Sequence, residues 1–434
     1  MAREMKDSGV EWIGEIPKEW EVVKLKRIVE LYVGNSIKDE EKSKYLDNIN
    51  AIPYISTKDI DIANSTINYE NGMYTKIGDS NFRVAKKDSI LLCIEGGSAG
   101  RKISYLLQDV SFVNKLCCFE GKINVRKKFL YYFLKSESFK SEFFLNISGL
   151  IGGVSQNLLK NFFTTLPSLE EQEKIANYLD KKISNIDLII EKTRATIEDY
   201  KKYKQSIITE AVTKGINPNV EMKDSGVEWI GEVPREWEVK KLKYVAQLNP
   251  KIDMDHLEET SEVTFTPMEK IKNGYFINNK GIWGNNNSSY TNYSENDIVM
   301  AKVTPCFENG NIAIMKGLYN NIGFGSSELF VFRSNKNIKK EYLFYFLRNE
   351  IFKNLGKNNM TGAGGLKRVS FEFILNFNVS VPPLEEQNRI AEYLDKKTFE
   401  IDTLITKKEA LIAELEEYKK SLIYECVTGK KEIK

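Results

Sequence analysis

The chain carries nearly the same segment twice, and this repeat constrains its fold more than any other feature. The first copy, residues 5–26, reads MKDSGVEWIGEIPKEWEVVKLK, and the second copy, residues 222–243, differs from it at three of 22 positions. A second repeat, SLEEQEKIANYLDKK at 168–182 and PLEEQNRIAEYLDKK at 383–397, matches at 11 of 15 positions. A spacing of 215 to 217 residues is too long for a solenoid, so the chain is predicted to be a tandem domain duplication.

Each LEEQ repeat opens a long charged segment in which apolar residues recur at alternating intervals of three and four. These a and d positions run from 176 to 211 in the first segment and from 391 to 426 in the second. A 3.5-residue period held over about five heptads predicts a coiled coil rather than an ordinary amphipathic helix. Two helices with one apolar stripe each should pack on each other, and connectivity alone leaves their relative direction open.

Both long helices carry start and stop signals. Ser168 with Glu171 fits a capping box at the first start, and Pro382-Pro383 suits a helix entrance at the second. Gly215 and Gly429 are suited to end the two helices, because glycine adopts the left-handed conformation at a helix C-terminus without strain.

Two variable regions of similar size, about 29–165 and 246–380, lie between the repeats. Each has short β-like runs, turns rich in Gly, Ser and Asn, one amphipathic helix (KFLYYFLKSESFKSEFF or EYLFYFLRNEIFKNL) and a Gly-rich loop. We predict one mixed α/β domain of the α+β kind used twice. The predicted parts are residues 1–165 (repeat and first variable domain), 166–214 (central helix), 215–380 (repeat and second variable domain) and 381–434 (C-terminal helix).

Both variable regions are acidic first and basic later. Residues 29–82 hold five Lys/Arg against nine Asp/Glu, and residues 83–128 hold ten against four. Residues 246–299 hold four against eight, and residues 300–368 hold eleven against four. A local positive excess interleaved with Asn, Gln, Ser and Tyr suits a face that binds duplex DNA. The alternative is a solvated lysine surface, which the same asymmetry in two diverged copies makes less attractive.

The sequence has no recognisable catalytic constellation. The single histidine, His256, lies beside acidic residues and is predicted to be a surface residue, and no His/Cys cluster predicts a zinc site. No phosphate-binding loop is present, and the GAGG at 362–365 lacks the strand of a dinucleotide fold. The absence of a secretory signal, an 18-residue apolar run and CxxC spacing predicts a cytoplasmic protein with reduced thiols. The Cys117-Cys118 pair reads as part of a buried strand.

The repeats SGVEWIGEIPKEWEVVKLK and LPSLEEQEKIANYLDKK, each followed by its copy in the same order, closely resemble the specificity subunit of type I restriction–modification systems. The resemblance covers essentially the whole chain. It implies that each variable region is a target recognition domain for one half of a bipartite, asymmetric site in double-stranded DNA. It also implies antiparallel helices that set the spacer, and a pseudo-twofold relation between the domains.

The resemblance further implies a non-catalytic chain without metal or cofactor of its own. Two methyltransferase (modification) subunits would dock on the repeats and supply the S-adenosylmethionine chemistry. Restriction subunits would join the same complex and use ATP and Mg. The N-terminal repeat would lie beside the end of the C-terminal helix, as its copy follows the central helix. Two nearly identical segments would then give two identical partners equivalent sites on one asymmetric chain.

Base edges are read by Arg, Lys, Asn, Gln, Ser and Thr side chains, while phosphate contacts fix the register. The candidate DNA-binding residues of the first domain are Lys58, Arg101, Lys102, Lys115, Ser155, Gln156 and Asn157. Those of the second domain are Lys302, Thr304, Asn309, Asn311, Ser326, Ser327, Lys367 and Arg368. Each could instead be inert or a turn former. The pairs Gly96-Gly97 and Gly152-Gly153 either shape loops that face DNA or end strands.

The repeats themselves supply the candidate partner-binding residues, for which core packing is the alternative. These candidates are Trp12, Trp20, Trp229, Trp237, Glu171, Gln172, Glu386 and Gln387. Two other classes of function stay open. One is a fused methyltransferase or nuclease, which would need an Asn/Asp-Pro-Pro-aromatic motif or a cluster of metal-binding carboxylates, and the sequence has neither. The other is a coiled-coil adaptor without DNA binding, against which the two basic regions argue.

Overall fold

A computed structural model describes residues 3–149, 152–254, 257–258, 260–284, 289–363 and 365–433 of the chain. His256 lies outside the described residues. Backbone contacts divide the chain into two compact units. Unit 1 contains Met1–Thr193 and Ala410–Lys434, and unit 2 contains Arg194–Glu409. The division falls inside both long helices, so each unit holds a part of each helix.

Unit 1 is built from short strands and helices that come before the first long helix. Its strands are Met5–Asp7 (β1), Glu15–Pro17 (β2), Glu21–Lys24 (β3), Val29–Val33 (β4), Ala51–Ile55 (β5), Tyr74–Lys76 (β6), Val84–Ala85 (β7), Ile90–Cys93 (β8), Ile103–Tyr105 (β9), Val110–Phe112 (β10), Leu116–Gly121 (β11) and Phe163–Leu166 (β12). Its helices are Leu25–Ile28 (α1), Lys127–Lys135 (α2), Glu137–Leu145 (α3), Gln156–Leu159 (α4) and the first part of Leu169–Lys214 (α5).

Unit 2 repeats this order of elements. Its strands are Met222–Asp224 (β13), Glu232–Pro234 (β14), Glu238–Lys241 (β15), Ala246–Leu248 (β16), Glu262–Thr266 (β17), Lys280–Ile282 (β18), Thr291–Ser294 (β19), Ile298–Ala301 (β20), Ile312–Ile314 (β21), Ile322–Gly325 (β22), Leu329–Ser334 (β23), Met360–Thr361 (β24), Arg368–Val369 (β25) and Asn378–Val381 (β26). Its helices are Lys340–Leu347 (α6), Glu350–Asn358 (α7), Phe371–Asn376 (α8) and the first part of Leu384–Val427 (α9).

The two units have the same sheet topology, which confirms that one mixed α/β domain is used twice. Unit 1 has an antiparallel sheet in the order β4-β11-β8-β9, and unit 2 has β16-β23-β20-β21. The second sheets are β6-β5-β10-β7 and β18-β17-β22-β19, and each contains one parallel pair at the equivalent place. Cys117 and Cys118 are buried in β11, as predicted for a strand pair.

The prediction of one amphipathic helix in each domain is wrong, because each predicted segment forms two successive helices. Ser136 separates α2 from α3: its hydroxyl donates to the Phe133 carbonyl at 2.6 Å and accepts from the Phe139 N–H at 3.4 Å. Asn349 separates α6 from α7, and its side-chain oxygen accepts from the Phe352 N–H at 2.8 Å. Ser and Asn satisfy the free N–H groups at a helix start, so a buried cap outweighs the continuous apolar pattern.

The long helices are confirmed, and α5 and α9 run antiparallel within each unit. In unit 1, Lys419 pairs with Asp187 at 2.6 Å, and the Lys431 ammonium, further along the chain, lies near the ring of Tyr178, earlier in α5. In unit 2, Lys204 pairs with Asp402 at 2.7 Å. The ammonium of Lys408, later in α9, lies 5.9 Å from the ring of Tyr200, earlier in α5, so the two helices run in opposite directions here as well. Among the described residues no helix is both long and apolar enough to cross a membrane.

Predicted a and d positions of both helices are buried or half-buried, which confirms the apolar stripe. In unit 1, Ile183, Ile186 and Ile190 are 6–7% exposed. In unit 2, Ile197 and Ile401 are equally buried. A stripe of this kind repeats on one face of each helix and gives the two helices a shared core.

The end of a long helix packs on other elements of its unit, and in unit 1 it also contacts the repeat segment. In unit 1 the Thr165 hydroxyl donates to the Val427 carbonyl at 2.6 Å, and the Tyr424 hydroxyl donates to the Ile13 carbonyl at 3.2 Å. In unit 2 the Tyr342 hydroxyl donates to the Val212 carbonyl at 3.1 Å. The bonds to Val427 and Val212 satisfy carbonyls that lack partners at a helix end. The bond from Tyr424 to Ile13 confirms that the N-terminal repeat lies beside the end of the C-terminal helix.

Candidate nucleic-acid interface

Three loops of unit 1 meet at one end of its antiparallel sheet. They are residues 94–102 after β8, 113–115 before β11 and 152–155 before α4, and we call them the first loop cluster. The Ile94 N–H donates to the Lys115 carbonyl at 3.0 Å, and the Val154 N–H donates to the Ile94 carbonyl at 2.9 Å. Main-chain bonds therefore hold the three loops together.

The glycines of this cluster allow the loops to approach closely. The Gly96 N–H donates to the Gly152 carbonyl at 2.8 Å, so the two glycine pairs noted in the sequence meet. A Cβ on Gly153 would lie 2.7 Å from the Ile94 carbonyl oxygen, which is closer than real Cβ atoms come. Gly96 has a φ of +86°, a region that glycine enters without strain. These glycines join two loops rather than merely ending strands.

Three loops of unit 2 meet in the same way and form the second loop cluster. They are residues 302–311 after β20, 326–328 before β23 and 365–370 before α8. The Lys302 N–H donates to the Glu328 carbonyl at 3.0 Å, the Val369 N–H donates to the Lys302 carbonyl at 2.9 Å, and the Thr304 N–H donates to the Lys367 carbonyl at 3.0 Å. This bond pattern equals that of the first cluster, so the two clusters correspond residue by residue.

The second cluster contains a charged network. Arg368 donates from Nε to Glu328 Oε2 at 2.8 Å and from Nη2 to Glu328 Oε1 at 2.6 Å. The Lys302 ammonium lies 4.0 Å from the same carboxylate and donates to the Ser327 carbonyl at 2.7 Å. The hydrogen bonds from Arg368 lower the pKa of Glu328, because they stabilise the ionised carboxylate.

The first cluster has no counterpart of this network. The equivalent main-chain bonds show which residues correspond. In the first cluster, Ile94 stands in place of Lys302, Lys115 in place of Glu328, and Gly153 in place of Arg368. Lys115 is exposed, and no ion pair involves it in the part of the chain that the structure describes. The two clusters therefore share a backbone frame but present different charges.

The other candidates of unit 1 fall into two groups. Lys102 donates to the Thr57 carbonyl at 2.7 Å, which brings it close to Lys58. Lys58, Arg101 and Asn157 are exposed. Ser155 caps α4 by accepting from the Leu158 N–H at 3.3 Å, and Gln156 donates to the Leu31 carbonyl. Ser155 and Gln156 thus hold the loop.

The other candidates of unit 2 divide in the same manner. Thr304 donates to the Gly365 carbonyl at 2.8 Å and accepts from the Lys367 N–H at 3.0 Å, so it joins two loops of the cluster. The Ser326 hydroxyl accepts from the Glu328 N–H at 3.2 Å. The residues with exposed side chains here are Asn309, Ser327 and Lys367, and Asn311 is half-buried.

Sequence reasoning missed Glu328, although it centres the second cluster. An acidic residue is a poor candidate in a basic stretch when only local charge is considered. The signal that could have found it is its position directly before a strand, in SSELF, opposite the equivalent Lys115 of the other copy. No group of three or more His, Cys, Asp or Glu side chains is placed to hold a metal ion among the described residues.

The candidate partner-binding tryptophans are tied to the chain's own core. Trp20 is 1% exposed and donates from Nε1 to Glu171 Oε2 at 2.8 Å. Trp237 is fully buried and donates from Nε1 to Glu386 Oε2 at 2.9 Å. The Glu171 N–H donates to the Ser168 hydroxyl at 3.3 Å, which is one half of the expected capping box. The other half is not formed, because the Glu171 carboxylate accepts from Trp20 instead.

The candidate glutamines fix the start of each long helix. Gln172 donates to the Pro167 carbonyl at 2.9 Å and accepts from the Arg126 N–H at 2.7 Å. Gln387 donates to the Pro382 carbonyl at 2.8 Å and accepts from the Lys339 N–H at 2.7 Å. Both glutamines are fully buried, so each joins a long helix to the helix pair of its own unit.

The remaining two candidate tryptophans have different surroundings in the two units. Trp12 is half-buried and donates to Glu142 Oε2 at 3.2 Å, and the Phe163 N–H donates to the same carboxylate at 3.2 Å. Burial raises the pKa of Glu142 to about 7, because desolvation disfavours the charged form. Trp229 instead packs on the rings of Phe346 and Phe377.

A family model described as "Type I restriction modification DNA specificity domain" matches residues 17–199 and again residues 234–417. The EcoEI specificity subunit of Escherichia coli is 34% identical over 177 residues, which is 40% of this chain and 30% of that protein. The EcoAI specificity subunit of Escherichia coli is 38% identical over 163 residues, 37% of this chain and 27% of that protein. The chain thus spans under a third of the length of these two relatives.

Other similarities extend over nearly the whole chain. The MjaVIII specificity subunit of Methanocaldococcus jannaschii is 29% identical over 443 residues, covering 96% of this chain and 94% of that protein. A chain from a solved type I R-M system, studied for complex assembly and conformational transition, has a TM-score of 0.72 at 15% identity, with 96% and 99% coverage. The crystal structure of the HsdS subunit from Thermoanaerobacter tengcongensis has a TM-score of 0.54 at 15% identity, with 96% and 98% coverage. At this identity the structural likeness concerns the fold.

Proposed function

Because the chain belongs to the type I restriction modification DNA specificity family, we propose that it is the subunit that selects the DNA target of a type I restriction–modification complex. Each of the two variable domains reads one half of a bipartite, asymmetric site in double-stranded DNA. The chain itself is non-catalytic and works by positioning. The proposed domains are residues 1–165 and 215–380, followed by the helices of 166–214 and 381–434.

The observation that carries this proposal is the pair of loop clusters. The same main-chain bonds hold three loops in each unit, while the side chains at equivalent places differ. A constant frame with variable side chains suits a protein that reads two different base sequences with one architecture. Loops on a rigid scaffold are also where binding residues concentrate.

Cationic and amide side chains in and beside the clusters supply the chemistry for this task. Lysine and arginine neutralise phosphates and fix the register, while arginine and asparagine read purine edges in the major groove. The proposed contacts of unit 1 are Lys58, Arg101, Lys102, Lys115 and Asn157, with Ser155 and Gln156 shaping the loop. Those of unit 2 are Lys302, Asn309, Asn311, Ser327, Lys367 and Arg368, with Thr304 and Ser326 shaping the loops.

The repeats are the proposed docking sites for two modification subunits. Their tryptophans and glutamines bind within the chain, so they set the shape of the docking segments rather than contact the partner directly. Apart from Gly9 and Gly226, the residues that both repeats leave exposed are charged: Lys6, Asp7, Glu11, Glu15, Lys18, Glu19, Glu21, Lys24 and Lys26, and Lys223, Asp224, Glu228, Glu232, Arg235, Glu236, Glu238, Lys241 and Lys243. The modification subunits supply S-adenosylmethionine chemistry, the restriction subunits use ATP and Mg, and the antiparallel helices set the spacer between the half-sites.

The test is to express the chain with a modification subunit and determine by sequencing which adenines become methylated on a random duplex library. The expected result is one bipartite motif with two unlike halves and no methylation by either protein alone. Methyl transfer or cleavage by the purified chain would instead favour a fused enzyme. A stable complex with the modification subunit that selects no sequence would favour an adaptor.

A further inference from the structure

Arg368 in the second loop cluster has one edge of its guanidinium occupied and another edge open. A guanidinium carries five N–H donors in a planar fork. Glu328 uses one from Nε and one from Nη2, at 2.8 and 2.6 Å. Three N–H groups remain, and two of them, one on each Nη, project side by side from the outer end. The Arg368 side chain is 44% exposed and the Glu328 side chain 27%, so this outer fork is accessible while the pair holds its plane.

The backbone on which Arg368 stands is fixed on both sides. Arg368 pairs with Thr361 across β24 and β25, and it forms an antiparallel bridge with Val303. The backbone of Glu328 is also held, because its N–H donates to the Ser326 hydroxyl at 3.2 Å and its carbonyl accepts from the Lys302 N–H at 3.0 Å. Lys302 donates to the Ser327 carbonyl at 2.7 Å and therefore does not take the place of Arg368 on the carboxylate.

We propose that the outer fork of Arg368 reads a guanine in the half-site of unit 2, and that Glu328 is the positioning residue that orients it. This inference rests on the proposed function. Guanine offers two acceptors, O6 and N7, on its major-groove edge, and a bidentate arginine matches them. A lysine at the same place would offer a point charge without the planar fork. A carboxylate that holds the other edge of the guanidinium removes rotamer freedom before DNA binds.

The first loop cluster supports this assignment by contrast. Gly153 stands at the place of Arg368 and has no side chain, and Lys115 stands at the place of Glu328. The half-site of unit 1 is therefore expected to be read by other residues at the corresponding place. A change at Arg368 should alter one base pair in one half-site only.

The experiment compares Arg368→Lys and Glu328→Gln with the wild-type chain in complex with a modification subunit, on a random duplex library. Arg333→Lys is the matched control. Arg333 also forms a two-bonded pair, with Asp297 at 2.8 and 2.7 Å, but it lies in β23 five residues beyond Glu328. Thermal unfolding of each chain verifies that the variants fold, and the motif is read at two salt concentrations.

The wild-type motif should contain a guanine at one position of the second half-site. Arg368→Lys should lower the preference for that guanine roughly 5- to 100-fold, with every other position unchanged. Glu328→Gln should lower the same preference by a smaller factor, and Arg333→Lys should leave the motif intact. Arg368→Lys keeps the positive charge. If Arg368 had only a structural role, this change would not lower the preference for one base at one position.

Three results would overturn the inference while leaving the proposed function standing. They are a defined wild-type motif whose second half lacks a G·C pair, an unchanged guanine preference in Arg368→Lys, and a uniform loss over all sequences with a shallower salt dependence, which marks a phosphate contact. If the wild-type complex selects no motif at all, the proposed function fails and the inference fails with it.

Discussion

The two loop clusters have the same main-chain hydrogen bonds and opposite side-chain chemistry. In the second cluster Glu328 compensates Arg368, whereas in the first cluster Lys115 and Gly153 stand at those places. Main-chain bonds do not depend on side-chain identity, so they can hold the same loops in both units. The side chains on that frame are then free to differ, as the proposed reading of two unlike half-sites requires.

The largest expected effect comes from replacing the whole second variable region. If residues 246–380 are exchanged for the corresponding region of another family member, we expect the second half of the methylated motif to change and the first half to stay. The reason is that each unit has its own core and its own loop cluster. Sequencing of methylated DNA checks this, and a change in both halves would show that the units do not read independently.

The next effect concerns the helices that the two units share. One heptad inserted after Thr193 in α5, with a matched heptad after Glu409 in α9, keeps both apolar stripes in register and adds roughly 10 Å. The non-specific spacer should lengthen by about three base pairs or fewer, at ~3.4 Å per pair. The methylated motif is the measurement, and both half-sites should keep their sequences.

A single-residue insertion at the same two points is the control for the heptad. It rotates each apolar stripe by about 100° and should weaken the helix pair. If the heptad variant remained active on the original spacer, the helices would be scaffolding and would not set the distance between half-sites.

A smaller effect concerns how the free energy of unfolding depends on pH, because only unit 1 has a carboxyl group at the place in question. Glu142, with a pKa of about 7, lies under Trp12 in unit 1, whereas the equivalent position in unit 2 is the apolar Leu355. The folded state binds the Glu142 proton more tightly than the unfolded state does, so the free energy of unfolding should fall as pH rises from about 4.5 to about 7. The loss should reach about 1–3 kcal/mol above that range.

Urea unfolding of the wild type and of Glu142→Gln, between about pH 5 and 8, measures this effect. The glutamine keeps an oxygen acceptor for Trp12 and cannot ionise, so its free energy of unfolding should lack this slope. An equal slope in both proteins would mean that another group causes it.

The last comparison tests why the second cluster has a side chain at a place where the first cluster has glycine. Gly153→Ala should lower the free energy of unfolding by about 1–3 kcal/mol, because the new Cβ would approach the Ile94 carbonyl to 2.7 Å. Arg368→Ala at the equivalent place keeps an existing Cβ and loses only a partly exposed ion pair, so it should cost less than about 1 kcal/mol. Denaturant midpoints of the two variants are the measurement, and equal losses would contradict the difference in space.

The sequence was sufficient for the duplicated architecture, because the signals for it are periodic or repeated. The heptads gave α5 and α9, with Gly215 and Gly429 following their ends. The same patterning misjudged the helix pairs, since the apolar spacing in KFLYYFLKSESFKSEFF continues through Ser136. Only the packed structure decides that a buried cap ends one helix and starts another.

The sequence repeats alone identify equivalent residues in the repeated segments. The heptad period likewise identifies which faces of the long helices are buried. The tertiary structure decided which candidates share a surface and which hold the loops. Arg368 and Glu328 are 40 residues apart in the chain, and no local pattern predicts that a sheet end brings them together. Periodicity is a property of neighbouring residues, whereas a binding surface is assembled from loops whose contacts exist only once the core has packed.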